Sequence, residues 1–137
     1  MSDLRLERTI QGDRRKMISA WRDPQLLTQW FCSDPSTSVT AEIDFSTGGL
    51  WRVIMGEQTV SGNYLEIDLP ERLSFTWQSQ DKLDVPASTV RLQFTDRHEA
   101  TELLLEHVDL ANNDEVRSHS ERWAITLDRL DQLMRSL

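Results

Sequence analysis

The amino-acid sequence predicts an α+β domain: a curved antiparallel sheet of about seven strands with a long C-terminal helix packed on its concave face. Three observations predict it. Residues 39–108 alternate apolar and polar side chains in short runs divided by turns. The last 25 or so residues switch to a helical period with one strongly apolar face. At 137 residues the chain has material for one core and not for two, so residues 1–137 read as a single domain.

The elements follow in order. Leu4, Leu6, Arg8 and Ile10 alternate against Arg5, Glu7 and Thr9, the pattern of a half-buried strand. Gly12-Asp13 breaks it, and Asp13 caps a short helix that starts at Arg14 and sets Met17, Ile18 and Trp21 on one face. Asp23-Pro24 opens a second helix, with Asp as N-cap and Pro in the first turn. Leu26, Leu27, Trp30 and Phe31 give its apolar face, and Ser33-Asp34-Pro35-Ser36 ends it. The strands of the meander are expected at Val39–Phe45, Leu50–Met55, Thr59–Ile67, Arg72–Gln78, Ser88–Thr95 and Thr101–Val108. Gly62, inside the third of these, marks a bulge or a close backbone approach. A polar loop spans residues 79–87. The closing helix starts at Asn112, Asn113 or Asp114 and carries Val116, Trp123, Leu127, Leu130 and Met134 on its apolar stripe. It runs about 23 residues, or about 35 Å.

Composition excludes several classes. Five tryptophans in so short a chain supply a core, so disorder is not expected. No apolar run approaches the roughly 20 residues of a membrane span. The N-terminus lacks a signal peptide's apolar stretch, and Cys32 alone forms no internal disulfide and no cysteine-rich zinc site. A cytoplasmic protein without membrane contact is expected. The net charge is -8, with five basic and ten acidic groups in residues 96–137. That balance opposes binding to nucleic acid. The run Arg14-Arg15-Lys16 reads as a solvated helix face.

Several stretches carry a resemblance. Trp21-Arg22-Asp23-Pro24-Gln25-Leu26-Leu27-Thr28-Gln29-Trp30-Phe31 resembles the tryptophan-rich second helix of the activator of heat-shock protein 90 ATPase homologue family, in the START-like or SRPBCC superfamily. The similarity continues through Ile43–Arg52, Gly62–Ile67 and Pro70–Trp77, and ends with Trp123, Leu127 and Leu130. The resemblance implies the helix-grip fold and, between the long helix and the sheet, a cavity. It also suggests a bacterial, stress-response setting. Two positions depart from the family pattern: Ser46-Thr47, where a basic residue often precedes the Gly-Gly pair, and Arg122, where a small residue often precedes the tryptophan.

Alternation assigns the inward residues of that cavity. Trp51, Val53 and Met55 form one inward set; Leu73, Phe75 and Trp77 a second; Val90, Leu92 and Phe94 a third; Leu103, Leu105 and His107 a fourth. Trp30 and Phe31 close one end, and His119 and Trp123 face in from the helix. Tyr64 and Glu66 share a face if their strand alternates regularly. The candidate ligand contacts are therefore Trp30, Phe31, Trp51, Val53, Met55, Tyr64, Phe75, Trp77, Val90, Leu92, Leu105, His107, His119 and Trp123. An ordinary filled core is the competing expectation for the same residues.

No catalytic or metal motif is present: no Gly-x-Ser-x-Gly elbow, no His-Glu-x-x-His pair and no phosphate-binding glycine loop. The leading expectation is thus a non-catalytic binder of a small hydrophobic or aromatic molecule, without cofactor or metal, as monomer or homodimer. A protein-interaction or chaperone-activating module is the second. A cyclase- or hydrolase-like enzyme is the third, and it requires Glu66, His107 or His119 to converge.

Overall fold

The computed structural model describes residues 2–137. Strand β1 (Ser2–Gln11) leads into helices α1 (Arg14–Arg22) and α2 (Pro24–Leu27). Strands β2 (Val39–Ile43), β3 (Leu50–Met55), β4 (Gln58–Asp68), β5 (Arg72–Ser79), β6 (Ser88–Arg97) and β7 (Ala100–Leu110) follow, and α3 (Asn113–Ser136) closes the chain. All seven strands form one sheet in the order β1-β7-β6-β5-β4-β3-β2, and every neighbouring pair is antiparallel. The helices cover one face of that sheet, which is the α+β helix-grip arrangement expected from the sequence.

Side-chain caps start the helices where the sequence places them. Asp13 accepts from the Lys16 N–H, Asp23 from the Gln25 N–H and Asn112 from the Glu115 N–H, each at 2.9 Å. Helix α2 is shorter than its apolar pattern suggests, because Trp30 and Phe31 lie in the turns beyond it. Tertiary partners hold those turns. Trp30 Nε1 donates to the Ala20 carbonyl at 3.0 Å, and the Arg129 guanidinium of α3 donates to the carbonyls of Gln29 and Cys32. Strand β2 likewise stops at Ile43, before Phe45, whose ring packs on Tyr64 at 5.0 Å.

Strand β4 holds the main departure from simple alternation. The register against β5 shifts between Tyr64 and Glu66, so the bulge lies at Leu65 and not at Gly62. It turns Tyr64 inward, leaves Leu65 half exposed, and puts Glu66 on the outer face. Tyr64 and Glu66 therefore do not share a face. Glu66 pairs with Arg72 at 3.6 Å, among exposed side chains. Gly62 serves the close approach instead. A Cβ there would stand 1.9 Å from the Thr76 carbonyl oxygen and 2.7 Å from Trp51 Nε1. The missing side chain lets the Trp51 indole cross the strand and donate to that carbonyl at 3.1 Å.

The core lies between the helices and the sheet. Met17 and Trp21 of α1 and Trp123, Leu127 and Leu130 of α3 all pack into the core on the covered face of the sheet. Val53, Val90, Phe94, Leu103 and Leu105 form its floor.

Candidate functional site

The space between α3 and the sheet has a filled end and an open end. At the filled end Trp21 packs edge-on to Trp30 at 4.6 Å and lies 6.3 Å from both Phe75 and Trp123. Trp51 lies 5.4 Å from Phe75 and 6.2 Å from Phe31. What remains empty is a void of about 20 Å³ bordered by Phe31, Trp51, Tyr64 and Phe75, room for one water. Trp21 Nε1, of a ring that borders it, is buried without a hydrogen-bond partner among the described residues. Burial also raises the Tyr64 phenol above its ordinary value, with the Asp44 carboxylate adding to the shift.

At the other end a cleft of about 490 Å³ opens between the N-terminal half of α3, the loop after β5 and the β3–β4 corner. It adjoins a smaller, mainly apolar hollow of about 60 Å³, its inner end, bordered by Phe31, Met55, Trp77, Trp123 and Thr126. His119, Arg122 and Gln58 border both parts. Trp77 divides the two ends of the space. Its ring stands 5.6 Å from Trp51 and Trp123, 5.7 Å from Phe31 and His119, and 5.5 Å from His107.

A buried polar chain runs behind the cleft. Trp123 Nε1 donates to His107 Nδ1 at 3.1 Å, and His107 Nε2 lies 2.7 Å from Ser88 Oγ. An indole N–H only donates, so Nδ1 carries no proton and Nε2 carries the ring proton. His107 therefore donates to Ser88. It holds no lone pair towards that hydroxyl and cannot take its proton, so the pair lacks the polarity of a nucleophile and base. Burial, then the charges of His119 and Arg122, bring the His107 pKa down to about 3. His119 falls to about 4, mainly by burial and secondly by Arg122, with Glu115 opposing. The two imidazoles meet edge-on at 4.6 Å, both neutral at pH 7. At the mouth, Lys82 bridges to Glu115 at 2.8 Å, and this hydrogen bond leads the causes that hold the Glu115 carboxyl low. Among the described residues no three His, Cys, Asp or Glu side chains cluster as a metal site would need.

The sequence-predicted residues divide three ways. Met55, Trp77 and His119 border the cleft and its inner end, and Phe31 and Trp123 the inner end. Trp51, Tyr64 and Phe75 border only the 20 Å³ void. Trp30, Val53, Val90, Leu92, Leu105 and His107 border none of these spaces and sit in the packed core. Alternation finds the face a side chain points to, and the close-packed rings of Trp21, Trp30 and Trp123 fill the space under the helices. Glu66 is outside, so Glu66, His107 and His119 do not converge. Sequence reasoning missed Ser88, Gln58, Lys82 and Arg122, which line the cleft. Two of them had a signal: Ser88 falls in the inward register of Val90, Leu92 and Phe94, a polar residue in an apolar row, and Arg122 departs from the family pattern.

This frame has relatives. Residues 14–135 match the family model described as Activator of Hsp90 ATPase homolog 1-like protein. The chain belongs to that family. Its fold is similar to solved structures at low sequence identity. A protein from Nitrosomonas europaea is 22% identical, with a TM-score of 0.81 over 98% of this chain and 94% of that one. A family member from Silicibacter pomeroyi is 24% identical, with a TM-score of 0.75 over 96% of each chain. An Hsp90 activator from Plasmodium falciparum is 23% identical, with a TM-score of 0.71 over 88% of this chain and 86% of that one. A search of curated proteins finds no match. The tryptophan-rich segment and all but the last residue of α3 lie within the matched range. No helix of the described residues is long and apolar enough to cross a membrane.

Proposed function

We propose that this member of the family binds one small, largely apolar molecule in the cleft beside Trp77, in the cytoplasm and without chemistry of its own. The observation that carries this reading is the cleft of about 490 Å³ that adjoins an inner end walled by Phe31, Met55, Trp77 and Trp123. The inner end supplies an apolar wall and the wider cleft supplies polar groups such as Gln58, Lys82, Ser88 and Arg122, a combination that suits a small molecule. The proton placement on His107 and the outward position of Glu66 support a binding role over a catalytic one. The test is a titration with the neutral probe N-phenyl-1-naphthylamine, read by tryptophan emission. One saturable site with quenching is expected, because Trp77 and Trp123 border the inner end. Native mass spectrometry of protein purified from its host should then show retained ligand. Absence of saturable binding overturns the reading.

Family membership supports a second reading, a module that docks on a protein partner. The outer side of α3 offers exposed Glu121, Ile125 and Asp128 for it. If the probe finds no site, this reading takes first place.

A further inference from the structure

We infer that the molecule held in the cleft is an acid: an apolar body against Trp77 and Met55, with a carboxylate held by Arg122. This rests on the small-molecule reading above and names the ligand's chemical class. Among the described residues, Arg122 is the one ionised side chain that borders the inner end. Among the described residues its guanidinium makes hydrogen bonds only to Ser118, one turn earlier on its own helix, at 3.0 and 3.4 Å. The neighbouring carboxylates have partners of their own. Glu115 is bridged to Lys82 at 2.8 Å, and Asp81 takes the Ser79 hydroxyl. Asp81, Asp109 and Glu115 border the outer cleft and not the inner end.

A second group of the cleft points the same way. Ser88 is 94% buried by its 6% exposure, lines the cleft, and accepts from His107 Nε2. The proton on that nitrogen leaves Ser88 its own O–H to give, and no acceptor for it stands among the described side chains. A guanidinium and a buried hydroxyl both offer donors, so the ligand they fit is an acceptor. A guanidinium matches a carboxylate with two parallel hydrogen bonds.

The test compares 2-naphthoate with 2-naphthamide by calorimetry at pH 7. The two share an apolar body and differ in charge. The acid is expected to bind about tenfold or more tighter than the amide, the usual margin of a hydrogen bond to a charged group. Arg122→Gln should remove that margin, so that acid and amide bind the variant with similar affinity. Arg122 is exposed and bonded only within its helix, so the variant keeps the native far-UV spectrum. Equal binding of acid and amide, or a margin that survives Arg122→Gln, overturns the assignment while the cleft still binds. If neither compound nor the neutral naphthylamine probe saturates, the small-molecule reading fails and this inference falls with it.

Discussion

The two ends of the space under α3 are built from the same kind of residue and come out differently. At one end Trp21, Trp30, Trp51 and Phe75 interlock until a void of about 20 Å³ is left. At the other, Trp77 and Trp123 stand beside a cleft of about 490 Å³. The difference lies in what faces the aromatic rings. Helices α1 and α2 press onto the first end with apolar side chains. The second is faced by the polar loop after β5 and by the first turns of α3, whose Glu115, Ser118, His119 and Arg122 are too polar to close over it. An aromatic-rich interior thus becomes core or cleft according to the polarity of its lid.

The largest test of that comparison falls where the two ends meet. Trp123→Ala removes a ring packed on Trp21, Phe31 and Trp77 and leaves the His107 Nδ1 acceptor unpaired. A loss of about 3–5 kcal/mol is expected in urea denaturation. A loss under about 1 kcal/mol would show that the ring does not lock the ends together.

Acid should act through the histidines at the same junction. Both are neutral in the fold, with pKa values lowered from 6.5 to about 3 for His107 and about 4 for His119. Below pH 6.5 the unfolded chain takes up protons that the fold refuses. The stability they contribute is thus fully present above pH 6.5 and drains as pH falls towards 4 and then 3. Between pH 7 and 5 the loss is on the order of 2 kcal/mol for each histidine. Urea midpoints across that range measure it. A flat profile would mean that the imidazoles are charged, or wet, in the folded protein.

The sequence made the frame legible because frame signals are local. Asp13, Asp23 and Asn112 announce their helices, and alternation finds Val53, Val90 and Leu103. The cleft was not legible, because vacancy is a property of what stands opposite. Residues 79–87 read as a connection, and only their fold onto the N-terminal half of α3 makes them a wall. The bulge at Leu65 carried no marker either: an apolar residue after Tyr64 looks like continued alternation, while the glycine that invites a bulge serves the Trp51 crossing. Arg122 stood out against the family pattern, and its place at the inner end gives that departure a setting.

One side chain placed at two positions sharpens the contrast most. Val90 is fully buried on the floor of the core, so Val90→Trp has nowhere to put its ring and should cost about 1–3 kcal/mol or more. Gln58 is exposed at the start of β4 and borders both the cleft and its inner end. Gln58→Trp should lay its ring into empty space, change stability by no more than about 0.5 kcal/mol, and abolish binding of the naphthylamine probe. The pair is read by urea midpoints and by one probe titration each. If Gln58→Trp keeps full binding, the probe sits elsewhere and the cleft is not the site. If instead it destabilises as much as Val90→Trp, the open end is as tightly packed as the filled one, and polarity of the lid does not decide between core and cleft.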